Sequence, residues 1–524
     1  MYNCRYQSSR HDSSPVEERD SGDLPISELY ISTTTPDPIA SNAYGSFTLS
    51  SDRLSVPDSS PHGSSPTAPS FCSSRFPGDE EASIMMSHSP GTLDATELGL
   101  LSHYLAHTSQ TIPFDDLDLY ALSVGVPNIA FNSKPVMSSL IALAAACKSH
   151  DIVKQTRMPL ADQTLVEVRE LLTLADRHHR TSLQHIQDSV SKSDRYDDIL
   201  LNAALMVLYA SASHAIRVCL AAAAKRSELL LPKDLLPQHS QWILFTRSAH
   251  TVSIAVLDNI SKISIHGDGL GQIIHTPPES PGTVLSPQDG PSEKTRRLFL
   301  PLVASTYKRA FESLRRKTKT TIALLGERRE NSIFGELELD ACLKSLPILD
   351  ECAYTALTTE KSHKISTDFQ PDPNCSDGSS KVSPWVGRYM SSVTSMQSPK
   401  ALRRIIMSFL NKAPSGYLEL IQSVLDSPFE SLNLEYPPTY GSPGGETPVL
   451  NETQLLAMDI FAHWLVLVML LDGVWWIDGI GQWELGQVVS MMKKQASCQL
   501  SANTGETWWP ESMHLIKLEL SPSS

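Results

Sequence analysis

The chain has 524 residues and eight cysteines, yet no C-x-x-C pair: Cys4, Cys72, Cys147, Cys219, Cys342, Cys352, Cys375 and Cys498 are scattered along its length. That spacing offers no disulfide framework, so a reducing compartment is expected. Cys147, Cys219 and Cys342 fall inside apolar helical patterns and read as buried thiols. The first residues contain no apolar core of the signal-peptide type. The longest apolar run, IFAHWLVLVMLL at 460–471, is too short to span a bilayer and carries His463, so it reads as a buried core helix and no membrane partner is expected. Gly-rich phosphate loops, H-E-x-x-H, G-x-S-x-G and paired catalytic carboxylates are all missing, so the chain is not expected to be an enzyme. Positive charge is in deficit: 43 Lys and Arg against 58 Asp and Glu give a formal net charge of -15. An acidic chain binds nucleic acid poorly, and any DNA contact would need a small, local basic module.

What is present divides the chain near residue 93. Residues 1–92 are largely Ser-, Thr- and Pro-rich and hold few large apolar side chains, so burial cannot offset their ordering entropy and a disordered linker is expected. Ser14, Thr35, Ser60, Ser65 and Ser89 each precede proline there and suit proline-directed kinases. Residues 93–515 read as one large all-α domain. At its start, Leu98, Leu101 and Leu105, with Leu100 and Tyr104 beside them, define an apolar helical face that Thr92 or Asp94 could cap. The acidic stretch IPFDDLD then reads as a loop. In SKPVMSSLIALAAACKSHD, Ser133 suits an N-cap and Pro135 the first turn. Val136, Leu140, Leu143, Ala144 and Cys147 line one face, and small residues elsewhere suit a central helix.

Further helical patterns cover 160–190, 196–226, 241–263, 294 to about 328, 336–358, two short helices within 399–426, and a pair within 450–498 split around Asp472 and Gly473. Mobile loops are expected near 264–293, 361–383 and 427–449. Basic residues from Arg296 to Lys319 read as a solvated helix face, with a nuclear-import signal as the other reading. His103, His107 and His150 have no partner at a zinc-like spacing and are set aside as metal ligands. His178 and His179, neighbours on a helix, read as surface residues. Asp197 and Asp198 suit a helix first turn. The tryptophans are the sharper signal. Trp464, Trp475, Trp476 and Trp483 sit in or beside DGVWWIDGIGQWELGQVV, and their first reading is core packing. The alternative is a pocket for an apolar ligand, or a partner groove, lined by these rings.

Three blocks carry a resemblance. LGLLSHYLAHTS, then VGVPNIAF with SLIALAAACKSHD, then DGVWWIDGIGQWELGQVV with TWWPESM, occur in that order. Together they resemble motifs of the regulatory domain in fungal transcription factors of the binuclear zinc-cluster type, over about residues 97–515. The resemblance implies an all-α regulatory domain in a nuclear regulator of RNA polymerase II genes. It implies transcription machinery or co-regulator proteins as partners, and commonly a homodimer. Family members read DNA through a six-cysteine cluster holding two zinc ions, and some sense sterols or other small apolar molecules. This sequence departs from that pattern, because six closely spaced cysteines are not in it. Cys4 resembles the last cysteine of such a cluster, and a truncated start is one expectation from it. Zinc is expected only if an upstream cluster exists; DNA contact by this chain is in doubt, and no other cofactor is expected. The rival reading is a sterol-like or metabolite sensor, or an interaction scaffold, without DNA contact. An enzyme of terpene-cyclase type would need an Asp-rich motif on a helix, and Asp115-Asp116 in a loop is a poor substitute.

Overall fold

The computed structural model describes residues 93–156, 162–190, 196–227, 230–237, 241–266, 290–327, 333–358, 382–394, 401–426, 449–498 and 507–521. Cys4, the linker 1–92 and most of the three expected loops lie outside the described residues. Among the described residues every regular element is helical.

The domain opens with α1 (Ala95–His103), a π turn over Tyr104–Thr108 and the single turn α2 (Ser109–Thr111). Asp94 and Glu97 form a reciprocal capping box, each carboxylate accepting from the other's backbone N–H at 2.8 Å. The expected apolar face is rotated. Leu100, Leu101, Tyr104 and Thr108 are buried, whereas Leu98 and Leu105 are 54% and 42% exposed. Tyr104 explains the choice: it is wholly buried and its hydroxyl donates to the Leu122 carbonyl at 3.0 Å, which fixes the face turned inward. The IPFDDLD stretch starts a helix rather than a loop. Asp115 caps α3 (Asp116–Tyr120), which passes through a π turn into α4 (Val126–Ala130).

Helices α5 (Lys134–Gln155), α6 (Asp162–Val190), α7 (Asp197–Ser227) and α8 (Gln241–His266) pack in sequence order, with α5 against both α6 and α7. Small residues permit this close approach, and Ala142, Ala144, Ala145 and Ala146 are fully buried. A second group follows: α9 (Leu300–Glu327), α10 (Ile333–Thr358), α11 (Pro384–Val393), α12 (Leu402–Lys412) and α13 (Ser415–Leu425). The chain closes with α14 (Glu452–Val468), α15 (Ile480–Cys498) and α16 (Trp509–Leu520). The sequence pattern marks no helix over α11 or α16; both are short. The Arg296–Lys319 residues singled out as a basic run lie on the exposed side of α9 and the turn before it, and Arg315 pairs with Asp350 at 2.7 Å.

Helix α14 is apolar all round, and every residue from Leu456 to Val468 is buried. Helices α5 and α7, and α14 with its following turn, are long and apolar enough to cross a membrane. Here 67%, 89% and 89% of their most apolar windows are buried within the domain, so they form its core. Inside α14, Asp459 pairs with Lys317 at 2.5 Å and accepts from the Trp508 indole N–H at 2.8 Å. Burial alone would raise the Asp459 carboxyl, but Lys317 and His463 outweigh it and hold it well below the usual range.

Two side chains reverse their expected exposure. Cys219 is exposed. His179 is buried, 4.7 Å from the Tyr209 ring and 5.0 Å from Phe245, and neither ring nitrogen has a hydrogen-bond partner among the described residues. Its neighbour His178 takes the outer position and pairs with Glu97 at 3.2 Å.

Two predictions follow from this packing. A Cβ at Gly481 would stand 2.7 Å from the Met469 nitrogen and 2.9 Å from the Val468 carbonyl carbon, both backbone, whereas one at Gly99 meets nothing within 4 Å. Gly481→Ala should therefore cost about 1–3 kcal/mol in urea unfolding, while Gly99→Ala in α1 should gain about 0.5–1 kcal/mol; equal midpoints would contradict the tight α14–α15 contact. Burial lowers the His179 imidazole to about 4. The unfolded chain then binds more protons between about pH 6.5 and 4, so stability falls as pH drops through that window. His179→Phe should remove about 2–3 kcal/mol of that loss, read as melting curves that diverge from wild type below about pH 6.5; parallel curves would contradict the burial.

Candidate ligand cavity

A cavity of about 110 Å³ lies where α7, α8, α11, α12 and the Trp476 turn meet. Its walls follow from residue size. Ala203, Ala204 and Ser211 on α7, with Ala249 on α8, withdraw side-chain volume, while Val207, Leu208, Met390, Val393 and Met407 supply apolar surface. The Thr246, Ser253 and Thr394 hydroxyls donate to carbonyls one helical turn back, at 2.8, 2.8 and 2.6 Å, so they present little polarity to the space. His250 also lines it; burial first, then Arg247, lowers its imidazole to about 4, so it is neutral at neutral pH.

One end is polar. Asp118 is buried and pairs with Arg403 at 3.2 Å and with Arg404. It also accepts the Phe114 backbone N–H at 3.1 Å. Burial and the Asp118 charge raise the neighbouring Asp115 carboxyl. The Arg403 guanidinium lies 5.0 Å from the centre of the Trp476 ring, a cation–π contact shielded from water. Asn411 is 8% exposed, and its side-chain oxygen finds no hydrogen-bond partner among the described residues. Asn411 lines the space as a residue, but the oxygen itself is enclosed, so the polar groups offered to a ligand are those of the Asp118–Arg403 end.

The four tryptophans named from the sequence separate. Trp476 lines the cavity. Trp475 stands edge-on to Trp476 at 5.6 Å, and its indole N–H donates to Thr111 at 3.2 Å. Trp464 is core: it is fully buried, packs on Trp242, Phe409 and Phe461, and donates to the Ile406 carbonyl at 2.9 Å. Trp483 is half-buried near the start of α15, and its N–H has no partner among the described residues. Sequence reasoning did not single out Asp118, His250, Arg403, Arg404 or Asn411. The one available signal was an arginine pair opening the apolar helix LRRIIMSFLNK.

Cys147, Cys342 and Cys352 are buried thiols, and burial pushes each up to about 12. Comparison of the chain with family models, with curated proteins and with solved structures returns no match. The structure itself defines the class: an all-α domain around a small, largely apolar cavity with one polar end.

The Asn411 side-chain oxygen is buried without a partner among the described residues, a cost of about 1–3 kcal/mol for a buried polar group. Asn411→Leu should therefore raise the urea midpoint, by about 1 kcal/mol in stability. A lowered midpoint would mean that the amide is already satisfied.

Proposed function

We propose that this chain is a nuclear transcriptional regulator of the fungal zinc-cluster kind, controlling RNA polymerase II genes through its helical domain. The observation that carries this reading is spatial. The third resembling block, hundreds of residues beyond the first two, folds back beside them. Thr111, just past the first, accepts the Trp475 N–H of the last, and His150 of the second lies 5.2 Å from the Trp475 ring. Leu122, just before VGVPNIAF, shares the cavity wall with Trp476.

On this reading a small ligand settles the Trp476–Arg403 end and alters the surface offered to co-regulator proteins or to a second copy of the chain. The cavity is smaller than an engineered cavity of about 150 Å³ that takes benzene. A short-chain metabolite therefore fits better than a substituted ring or a sterol skeleton. Neither a six-cysteine module nor a basic excess supports direct DNA reading by this sequence, so recruitment by partners is the proposed route. The cavity also favours a second reading, a metabolite sensor or scaffold without any promoter role.

One pair of experiments separates the two. Fused to an unrelated DNA-binding module, the chain should change reporter transcription, and Trp476→Ala or Arg403→Met should alter that response. A silent fusion would favour the sensor reading. In a mobility-shift assay the unfused chain should show only weak, salt-sensitive DNA binding. Tight sequence-specific binding would overturn the recruitment route.

A further inference from the structure

The sequence set His103, His107 and His150 aside as metal ligands for want of a partner. The structure supplies one. Asp151, near the C-terminal end of α5, reaches the histidine-bearing face of the α1 helix and its π turn. Its Oδ2 lies 3.1 Å from His107 Nε2 and 3.6 Å from His103 Nε2. One ligand atom from each of the three residues falls within 4.8 Å of the others.

We propose that His103, His107 and Asp151 form a binding site for a single borderline divalent cation, zinc above all. Four observations support it. First, ligand atoms in a tetrahedral zinc site with bonds of about 2.0–2.1 Å stand about 3.4 Å apart, and the two measured separations to Asp151 bracket that value. Second, His103 is already oriented: its Nδ1 lies 3.1 Å from the buried Thr108 hydroxyl, which leaves Nε2 turned towards the site. Metal-bound histidines commonly use their second nitrogen in this way. Third, His103 caps a π turn, Tyr104–Thr108, and His107 lies within it, an irregularity often found at functional sites. Fourth, the site is reachable, with His103, His107 and Asp151 side chains 22%, 48% and 27% exposed.

Two nitrogens and one carboxylate oxygen suit zinc better than calcium or magnesium, which prefer oxygen alone. Three protein ligands leave a fourth position open to water or to a partner's side chain. Lys148 acts on His103 and Lys154 on His150, and both oppose added positive charge. His150 Nδ1 is 3.5 Å from Asp151 Oδ1, on the side of the carboxylate that faces Trp475. A bound ion would therefore clamp the start of the domain to α5, beside the Trp475–Trp476 turn.

The test is calorimetric titration of the full chain with zinc chloride, paired with thermal melts. Wild type should bind zinc at this site and melt at a higher temperature with zinc than without it. His107→Ala removes a half-exposed ring and Asp151→Asn keeps the side-chain shape, so both should fold. Each should weaken this binding event at least roughly tenfold and abolish the zinc-dependent rise in melting temperature. Cys219→Ser, which removes the exposed thiol, should leave both readouts unchanged. The proposal is overturned if wild type binds no zinc, or if His107→Ala and Asp151→Asn bind it as wild type does. It is also overturned if Cys219→Ser alone removes the binding.

Discussion

The buried pair between His214 and Glu484 holds the rest in register. Glu484 is wholly enclosed and His214 is 4% exposed, with 2.8 Å between ring nitrogen and carboxylate oxygen. A buried hydrogen bond that loses one partner costs about 1–3 kcal/mol, so sliding α15 along α7 is opposed by the loss of this contact. The pair extends into a stack in which His214 lies on Trp242 and Trp242 on Trp464. Two independent ties fix the adjoining turn. Asp472 accepts from Ser292, Thr295 and Lys517, and the Gly473 N–H donates to the Gly290 carbonyl at 3.0 Å. Residues 475 and 476 lie between these anchors, so both indoles have defined places.

Those places govern both sites. Trp475 faces Thr111 and His150, next to the histidine–aspartate cluster. Trp476 faces Arg403 and the cavity. A rigid turn that presents one ring to each site gives a physical route for coupling, since a shift at one indole must be accommodated by the other at 5.6 Å.

The helices were legible where composition decides. Alternating apolar and small residues announced α5 and α7, Ser133 and Pro135 marked a helix start, and Pro414 separates two short helices. The face of α1 was not, because Leu98 and Leu105 match the helical period as well as Leu100 and Tyr104 do. Only the distant Leu122 carbonyl decides between them. The cavity's polar end was hidden for the same reason. Asp118 and Arg403 lie 285 positions apart, and no local spacing links them. His179 was misplaced because neighbouring histidines look alike in sequence, while their exposure depends on Tyr209 and Phe245 from two other helices. Trp464 and Trp476 belong to the same aromatic-rich stretch, yet one is core and the other lines a cavity.

The most direct test is a crystal structure of the protein soaked with small, short-chain apolar compounds. Density is predicted inside the cavity, against Trp476 and beside Arg403. A cavity that stays empty while the same compounds settle elsewhere, or one closed by the Met407 and Val393 side chains, would contradict it.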